Sequence, residues 1–385
     1  MIDAKYNSSL DRLPGDDLWA KMINSCENIE GLSKKEIKES QDAFKVLQNT
    51  LGINFLEMVF SKNHPMTFNL INVVAWTRRW IIWLAKAIDV SLNYDKKRSI
   101  LKRLKDPDKY YEGLSVLKYA DKLSRMGFEI SIDEMIGKKV PDIKVINKEN
   151  GETFVIEVSI QKRSVHEEKA FEIMRSVTFA VFCSAPGMSY CGGIYKYLAD
   201  KHLADVICKV KDIAVSSKSN NLFKCLHIPY ILDFAIAPSE DDPKLINWAK
   251  RYRTQPGQFS GPDDEVNHFR RLEAKVFKEQ EQLPIDKPGI IIIESNDLFR
   301  TRDYRGTISR IEDIVYKYDK LAVLIISGSY IGSGSNVIIQ KEGHKYIGIK
   351  KNDLLFEQYY FIKNKYCNHK LSKETLDKII KSLKI

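Results

Sequence analysis

The stretch that decides the fold runs from Tyr110 to Lys162 and contains two apolar segments, VPDIKV at 140–145 and FVIEVSIQK at 154–162. The polar sequence NKENG at 147–151 separates them, and its Asn and Gly residues are typical of a tight turn. Apolar runs of this length on either side of such a turn predict two antiparallel strands. The sequence therefore predicts a β-hairpin with an acid at the head of its first strand and another inside its second.

The strand periodicity brings polar side chains of the hairpin together. Alternate residues of a strand share a face, so Glu157, Ser159 and Gln161 point one way, and Asp142 and Lys144 share a face on the neighbouring strand. In an ordinary register Asp142 lies beside Glu157. Two carboxylates this close repel each other, and a cation would normally neutralise them. Oxygen ligands of this kind predict Mg²⁺ or Mn²⁺ at Asp142 and Glu157.

The helix predicted at 109–126 carries a third acid. Glu112 falls on the same helical stripe as Val116, Tyr119 and Leu123, so its side chain is expected to point toward the sheet. An acid on a core-facing stripe needs a partner. One such partner would be a water molecule through which Glu112 acts on the metal site.

The remaining chain predicts an α/β protein with a mixed β-sheet flanked by helices and a helical N-terminal region. The apolar runs IIII at 290–293 and LAVLII at 321–326 are typical of parallel strands that are buried on both faces. Asp106-Pro107 is the expected boundary between a helical region at 1–106 and an α/β domain at 107–385 that includes a C-terminal extension. Strands are predicted at 127–132, 140–147, 153–161, 229–237, 289–295, 321–328, 337–340 and 345–350. Helices are predicted at 109–126, 165–182, 193–212, 243–252, 264–282 and 307–319.

Bulk composition limits the class of protein and favours one kind of partner. The 385 residues are 44% hydrophobic and 29% charged, as in a globular protein, and the net charge of +10 favours polyanions. None of the six cysteines has CxxC spacing, which argues against a zinc site and suits a cytoplasmic protein with reduced thiols. The N-terminal sequence predicts no signal peptide. The apolar stretch 68–90 contains Arg78, Arg79 and Lys86, so a buried helix is expected there and no membrane association.

The ordered pattern of residues 109–182 resembles the PD-(D/E)XK nuclease superfamily, which has the restriction-endonuclease-like fold. Pro141-Asp142 matches its first motif, Glu157 its second acid, and Glu112 the frequent acid of its first helix. The resemblance implies a metal-dependent nuclease core in which the Val158 carbonyl is an additional metal ligand. It covers roughly one fifth of the chain, and strand 229–237 is the candidate for the next core strand.

One position departs from the family pattern. Where the family usually has a lysine that orients the attacking water or stabilises charge, this chain has Ser159. Lys144 is the geometric candidate to replace it, and Lys162 is the candidate nearest the motif. Lys169, early on the next helix, is a third candidate. Gln161 shares the face of Glu157 and is expected to position water.

Two clusters that combine basic and aromatic residues are candidates for nucleic-acid binding. The segment RTRDYR contains Arg300, Arg302 and Arg305, and the segment KRYRTQ contains Arg251 and Arg253. Both clusters could hold phosphates and stack on bases. Taken singly, such a cluster is more often a solvated loop.

Taken together, these features predict a magnesium- or manganese-dependent endonuclease that acts on DNA, in the style of restriction or phage-defence enzymes. A homodimer or a larger defence complex is compatible with that role. The alternative is a catalytically inactive nuclease scaffold that binds nucleic acid or serves as an assembly subunit, and Ser159 favours it. In a third reading the acids are structural: Asp142 caps a turn, and Glu157 pairs with Arg163 or Lys144.

Overall fold

The computed structural model describes residues 15–27, 29–62, 64–92, 97–162, 164–262, 267–299, 303–331, 335–351 and 355–385. The chain divides into two compact units. The first, called here the main unit, comprises Met1–Gln161 and His268–Ile385. The second, the inserted unit, is Lys162–Asn267.

Helices dominate the first part of the main unit. A capping box begins the helix Lys34–Leu51, because Ser33 accepts from the Glu36 N–H and the Glu36 side chain binds back to the Ser33 backbone. Gly52 ends it with φ +95°, a conformation that favours glycine. The helices of the main unit are Gly15–Asn24, Lys34–Leu51, Phe55–Ser61, Thr67–Ile71, Ala75–Leu92, Lys97–Lys105, Tyr110–Arg125, His268–Gln280, Tyr304–Val315 and Lys373–Leu383, with a 3₁₀ turn at Asp297–Phe299.

One sheet of eight strands organises the main unit. Numbered along the chain, its strands are β1 (Phe128–Ile132), β2 (Ile143–Asn147), β3 (Thr153–Ile160), β8 (Gly289–Glu294), β9 (Leu321–Ile331), β10 (Val337–Lys341), β11 (His344–Lys350) and β12 (Leu355–Lys363). Their order is β1-β2-β3-β8-β9-β12-β11-β10. The central pairs β3–β8 and β8–β9 are parallel, and the other pairs are antiparallel.

Helices cover both faces of this sheet. Ile156 and Ile292 belong to a core shared with Val116 and Leu117 of the helix Tyr110–Arg125. On the opposite face, Ile291 packs in a second core against the helices His268–Gln280 and Tyr304–Val315. The fold is therefore α/β, with a mixed sheet between helical layers, as the sequence predicts.

The inserted unit has a sheet of its own. Its strands are β4 (Ser189–Ile194), β5 (Lys224–Ile228), β6 (Leu232–Ala237) and β7 (Phe259–Ser260), in the order β5-β6-β4-β7. Its helices are Val165–Ser184, Asp200–Asn220 and Pro243–Arg251.

Two predictions for this region are wrong. Strand 229–237 is not the next strand of the core that holds the hairpin, because β6 pairs with β4 and β5, and β8 is the strand beside β3. The helix predicted at 193–212 begins only at Asp200, because β4 occupies Ser189–Ile194. The predicted boundary between 1–106 and 107–385 stays a prediction. Among the described residues, no helix is long and apolar enough to cross a membrane.

Candidate metal centre

The hairpin places the two predicted acids side by side. Asn147 accepts from the Gly151 N–H at 2.8 Å to close the turn, and Ile143 pairs with Ile156. One further step along the antiparallel register sets Asp142 opposite Glu157. The Asp142 Oδ2 atom accepts from the Val158 N–H at 2.9 Å, which fixes the carboxylate at the edge of β3.

Glu157 is a buried acid that is poorly suited to carry a charge. Its side chain is 5% exposed, and its Oε1 atom has no hydrogen-bond partner among the described residues. Burial raises the pKa of Glu157 well above its usual range. Asp142 raises it further, because its negative charge repels the ionised form and its carboxylate hydrogen-bonds with the Glu157 carboxyl. Near neutral pH, and without a cation, Glu157 therefore holds a proton.

Arg103 supplies the positive charge of this site. Its Nη1 atom lies 2.6 Å from Asp142 Oδ1, and its Nη2 atom lies 2.7 Å from Asp133 Oδ1. Burial acts to lower the pKa of Arg103, but the charges of Asp142 and Asp133 outweigh it and raise that pKa. The negative charge of Glu112 acts in the same direction. Glu112 thus contributes to the electrostatics of the site through Arg103.

A close helix contact determines where Arg103 can reach. A Cβ atom at Gly113 would lie only 2.9 Å from the Cβ atom of Arg103. The absence of a side chain at Gly113 therefore lets the helix Lys97–Lys105 approach the helix Tyr110–Arg125. Ile100 and Leu104 are buried on the first of these helices, and Arg103 lies beside them in sequence. This pattern is the only sequence signal for Arg103, and it does not reveal which acid the guanidinium meets.

Ser159 binds an acid from a helix on the same face of the sheet. Its Oγ atom donates to Glu279 Oε1 at 2.9 Å, and Lys275 Nζ lies 3.3 Å from the same oxygen. The negative charge of Glu279 also helps to raise the pKa of Glu157. Sequence reasoning missed Glu279 and Lys275, because they lie on a helix far along the chain.

The proposed replacements for the motif lysine have different surroundings. Lys144 Nζ lies 2.6 Å from Glu134 Oε1, so its ammonium is engaged with that acid. Lys162 and Lys169 belong to the inserted unit. Gln161 directly follows β3, and neither polar atom of its buried amide has a hydrogen-bond partner among the described residues.

The arginines predicted to bind nucleic acid fall in separate places. Arg305 is exposed at the start of the helix Tyr304–Val315. In the inserted unit, Arg251 lies over the Tyr252 ring at 5.7 Å, and that ring stacks on Trp248 at 4.3 Å. Arg253 is exposed, with φ +52°. Arg300 and Arg302 lie outside the described residues, as does Arg163.

Comparisons with known proteins return no relative. No protein-family model, no curated protein and no solved structure matches the chain.

Proposed function

We propose that this protein is a metal-dependent phosphodiesterase that cleaves nucleic acid, with DNA as the expected substrate and restriction or phage defence as its setting. The observation that carries the proposal is the pairing of the buried Glu157 with the partly buried Asp142, directly opposite it across the hairpin. A protein core has no structural need for two adjacent carboxyl groups on one side of a strand pair. A site that exchanges a proton for a divalent cation does need them.

The atoms around this pair fit a hard cation such as Mg²⁺ or Mn²⁺. Glu157 Oε1 is buried and has no hydrogen-bond partner in the described part of the chain, and the Asp142 carboxylate lies beside it. The Val158 N–H points at Asp142. In a strand, the carbonyl of a residue points to the same side as its N–H, so the Val158 carbonyl oxygen also faces Asp142. Carboxylate and carbonyl oxygens are the ligands that such cations prefer. When bound, the cation would polarise the phosphoryl oxygen and lower the pKa of water.

Three residues of this chain would have further roles in the reaction. Glu157 would release its proton when the site is loaded, and the Gln161 amide, which has no hydrogen-bond partner within the described ranges, would orient water. Arg103 takes the place of the missing lysine, because its guanidinium already lies at Asp142 and can stabilise negative charge on a phosphate. Its second contact, with Asp133, would hold it near the site while the Asp142 oxygen is taken by the cation.

Cleavage assays on the full-length protein test this assignment. We expect plasmid DNA to be cut with Mg²⁺ or Mn²⁺, and Asp142→Asn and Glu157→Gln each to lower the rate by at least about a hundredfold. Glu129→Gln is the matched control, because this acid on β1 is exposed and lies 3.7 Å from Lys148, outside the acid pair. Undiminished cleavage by either hairpin variant would refute the assignment.

The inactive scaffold remains a second candidate, and the position of Arg103 favours it. A guanidinium at 2.6 Å already neutralises Asp142, so the acid pair is stable without a metal. Calorimetric titration with Mn²⁺ distinguishes the nuclease from the inactive scaffold. Repeating it in buffers of different ionisation enthalpy gives the number of protons that are released on binding. A nuclease site should bind Mn²⁺ and release about one proton, that of Glu157, and lose both effects in Glu157→Gln. An inactive scaffold should bind no Mn²⁺ that depends on Glu157.

A further inference from the structure

A second pocket lies in the main unit on the opposite face of the sheet from the acid pair. In the β3–β8 register Glu157 pairs with Ile291 and Ile160 pairs with Glu294, so the side chains of Glu157 and Glu294 leave the sheet on opposite faces. Ser115 of the helix Tyr110–Arg125 donates to Glu294 Oε2 at 2.7 Å. The pocket has a volume of about 420 Å³ and opens where β8 ends and β12 begins. Ligands of α/β sheets commonly bind at the carboxyl ends of parallel strands.

Lysine side chains converge in this pocket. Lys118, Lys122 and Lys351 all lie 3.3 to 3.5 Å from the Glu357 carboxylate, and Lys118 also lies 3.4 Å from Glu294. Three ammonium groups therefore face two carboxylates. The other ionic pair of the lining, Arg125 with Asp121 at 2.9 Å, is balanced within itself.

Lys122 is the least exposed of the three lysines, with 9% of its side chain exposed. Burial, together with repulsion from Lys351 and Lys118, outweighs the attraction of Glu357 and lowers the pKa of Lys122 to about 8. An added anion would stabilise the charged form of such a lysine. The pocket thus brings together three ammonium groups that an anion could contact.

Aromatic rings form the rest of the wall. Trp80 and Trp83 line the pocket with ring centroids 6.3 Å apart, and Tyr111 lines it with 56% of its surface exposed. The sequence predicts a buried helix within 68–90, and Trp80 and Trp83 of that stretch do pack partly against the core. Trp83 Nε1 also donates to Asp121 at 3.0 Å, which fixes its ring. Flat rings beside ammonium groups are what a nucleobase with an attached phosphate requires.

We propose that this pocket binds a nucleoside monophosphate group, with its phosphate at Lys118, Lys122 and Lys351 and its base against the aromatic wall. The volume falls in the range of small-ligand sites. The group could come from a free nucleotide or from the 5′ end of a nucleic-acid strand, and both present the same chemistry. The proposal is independent of cleavage, because none of these residues belongs to the hairpin.

Titration of the full-length protein, followed by tryptophan fluorescence and calorimetry, tests the proposal. We expect AMP to bind at least about tenfold more tightly than adenosine or inorganic phosphate. A 5′-phosphorylated oligonucleotide that binds more tightly than both AMP and the same oligonucleotide without its 5′-phosphate would identify a strand end as the source of the group. AMP that binds more tightly than the oligonucleotide would identify a free nucleotide. Failure of both ligands to bind, or AMP no tighter than phosphate, would overturn the proposal.

Matched variants locate the binding site. Lys351→Gln removes one phosphate contact, and Tyr111→Leu removes an exposed ring, so each should weaken AMP binding by about tenfold. Lys86→Gln and Tyr366→Leu are the controls, since both side chains are exposed and neither lines the pocket. Equal weakening by the controls, or none by the pocket variants, would refute this location. Asp142→Asn should leave AMP binding unchanged, which separates this result from that of the cleavage assay.

Discussion

The protonated state of Glu157 makes an unusual prediction for stability. The pKa of Glu157 is raised in the folded protein above the ordinary value of 4.5. The folded state therefore keeps a proton that the unfolded chain releases as the pH rises, and the wild-type protein should lose stability from about pH 5 upward. Glu157→Gln preserves the shape of the neutral acid and its ability to donate to Asp142, but it does not titrate. The variant should thus be more stable than the wild type at neutral pH.

The pH dependence of this stability difference is set by the one proton that Glu157 keeps in the folded state. The advantage of Glu157→Gln should widen by up to about 1.4 kcal/mol per pH unit between pH 5 and 8. That corresponds to a difference in Tm that grows by about 2 °C per pH unit in a protein of this size. The measurement is thermal unfolding in metal-free buffer with a chelator, with Glu129→Gln as the non-titrating control. A gap that stays flat or narrows as the pH rises would show that Glu157 is ionised in the fold, and the account of the site would fail.

Two further variants test the contacts that hold Arg103. Arg103→Met should lower the free energy of unfolding in urea by about 3 kcal/mol, because it removes the guanidinium that pairs with Asp142 and Asp133. Mn²⁺ should then stabilise this variant more than it stabilises the wild type. A neutral effect of Arg103→Met would mean that the ion pairs contribute little. Gly113→Ala gains roughly 1 kcal/mol of helix propensity. Its new Cβ atom would lie 2.9 Å from the Arg103 Cβ atom, which cannot rotate away, so we expect a net loss of about 1 kcal/mol in the free energy of unfolding. A stabilised Gly113→Ala variant would show that the two helices can separate without cost.

The hairpin could be predicted from the sequence because its signals are local. The turn residues, the strand periodicity and the Pro141-Asp142 step all lie within about twenty residues of each other. The same periodicity placed Glu157, Ser159 and Gln161 on one face. The capping box of Ser33 and the end of its helix at Gly52 are local in the same sense.

The remainder of the site depends on tertiary contacts that no local pattern encodes. Arg103 is one of six basic residues in a short stretch, and only the approach of two helices at Gly113 directs it to Asp142. Glu279 reaches Ser159 from a helix that follows the inserted unit. The strand 229–237 has the apolar composition of a core strand, yet it pairs inside the inserted unit, because composition does not specify a partner strand.

The position of the inserted unit in the chain also has a consequence for biosynthesis. β3 ends at Ile160, but β8, its parallel neighbour, begins only at Gly289, after the whole of Lys162–Asn267 has been made. A nascent chain therefore carries β3 with one open edge while the inserted unit emerges from the ribosome. Such an edge can pair with other strands, and its closure requires a contact that is distant in sequence and slow to form. The sheet around Glu157 thus cannot be completed before the inserted unit and β8 have both been made.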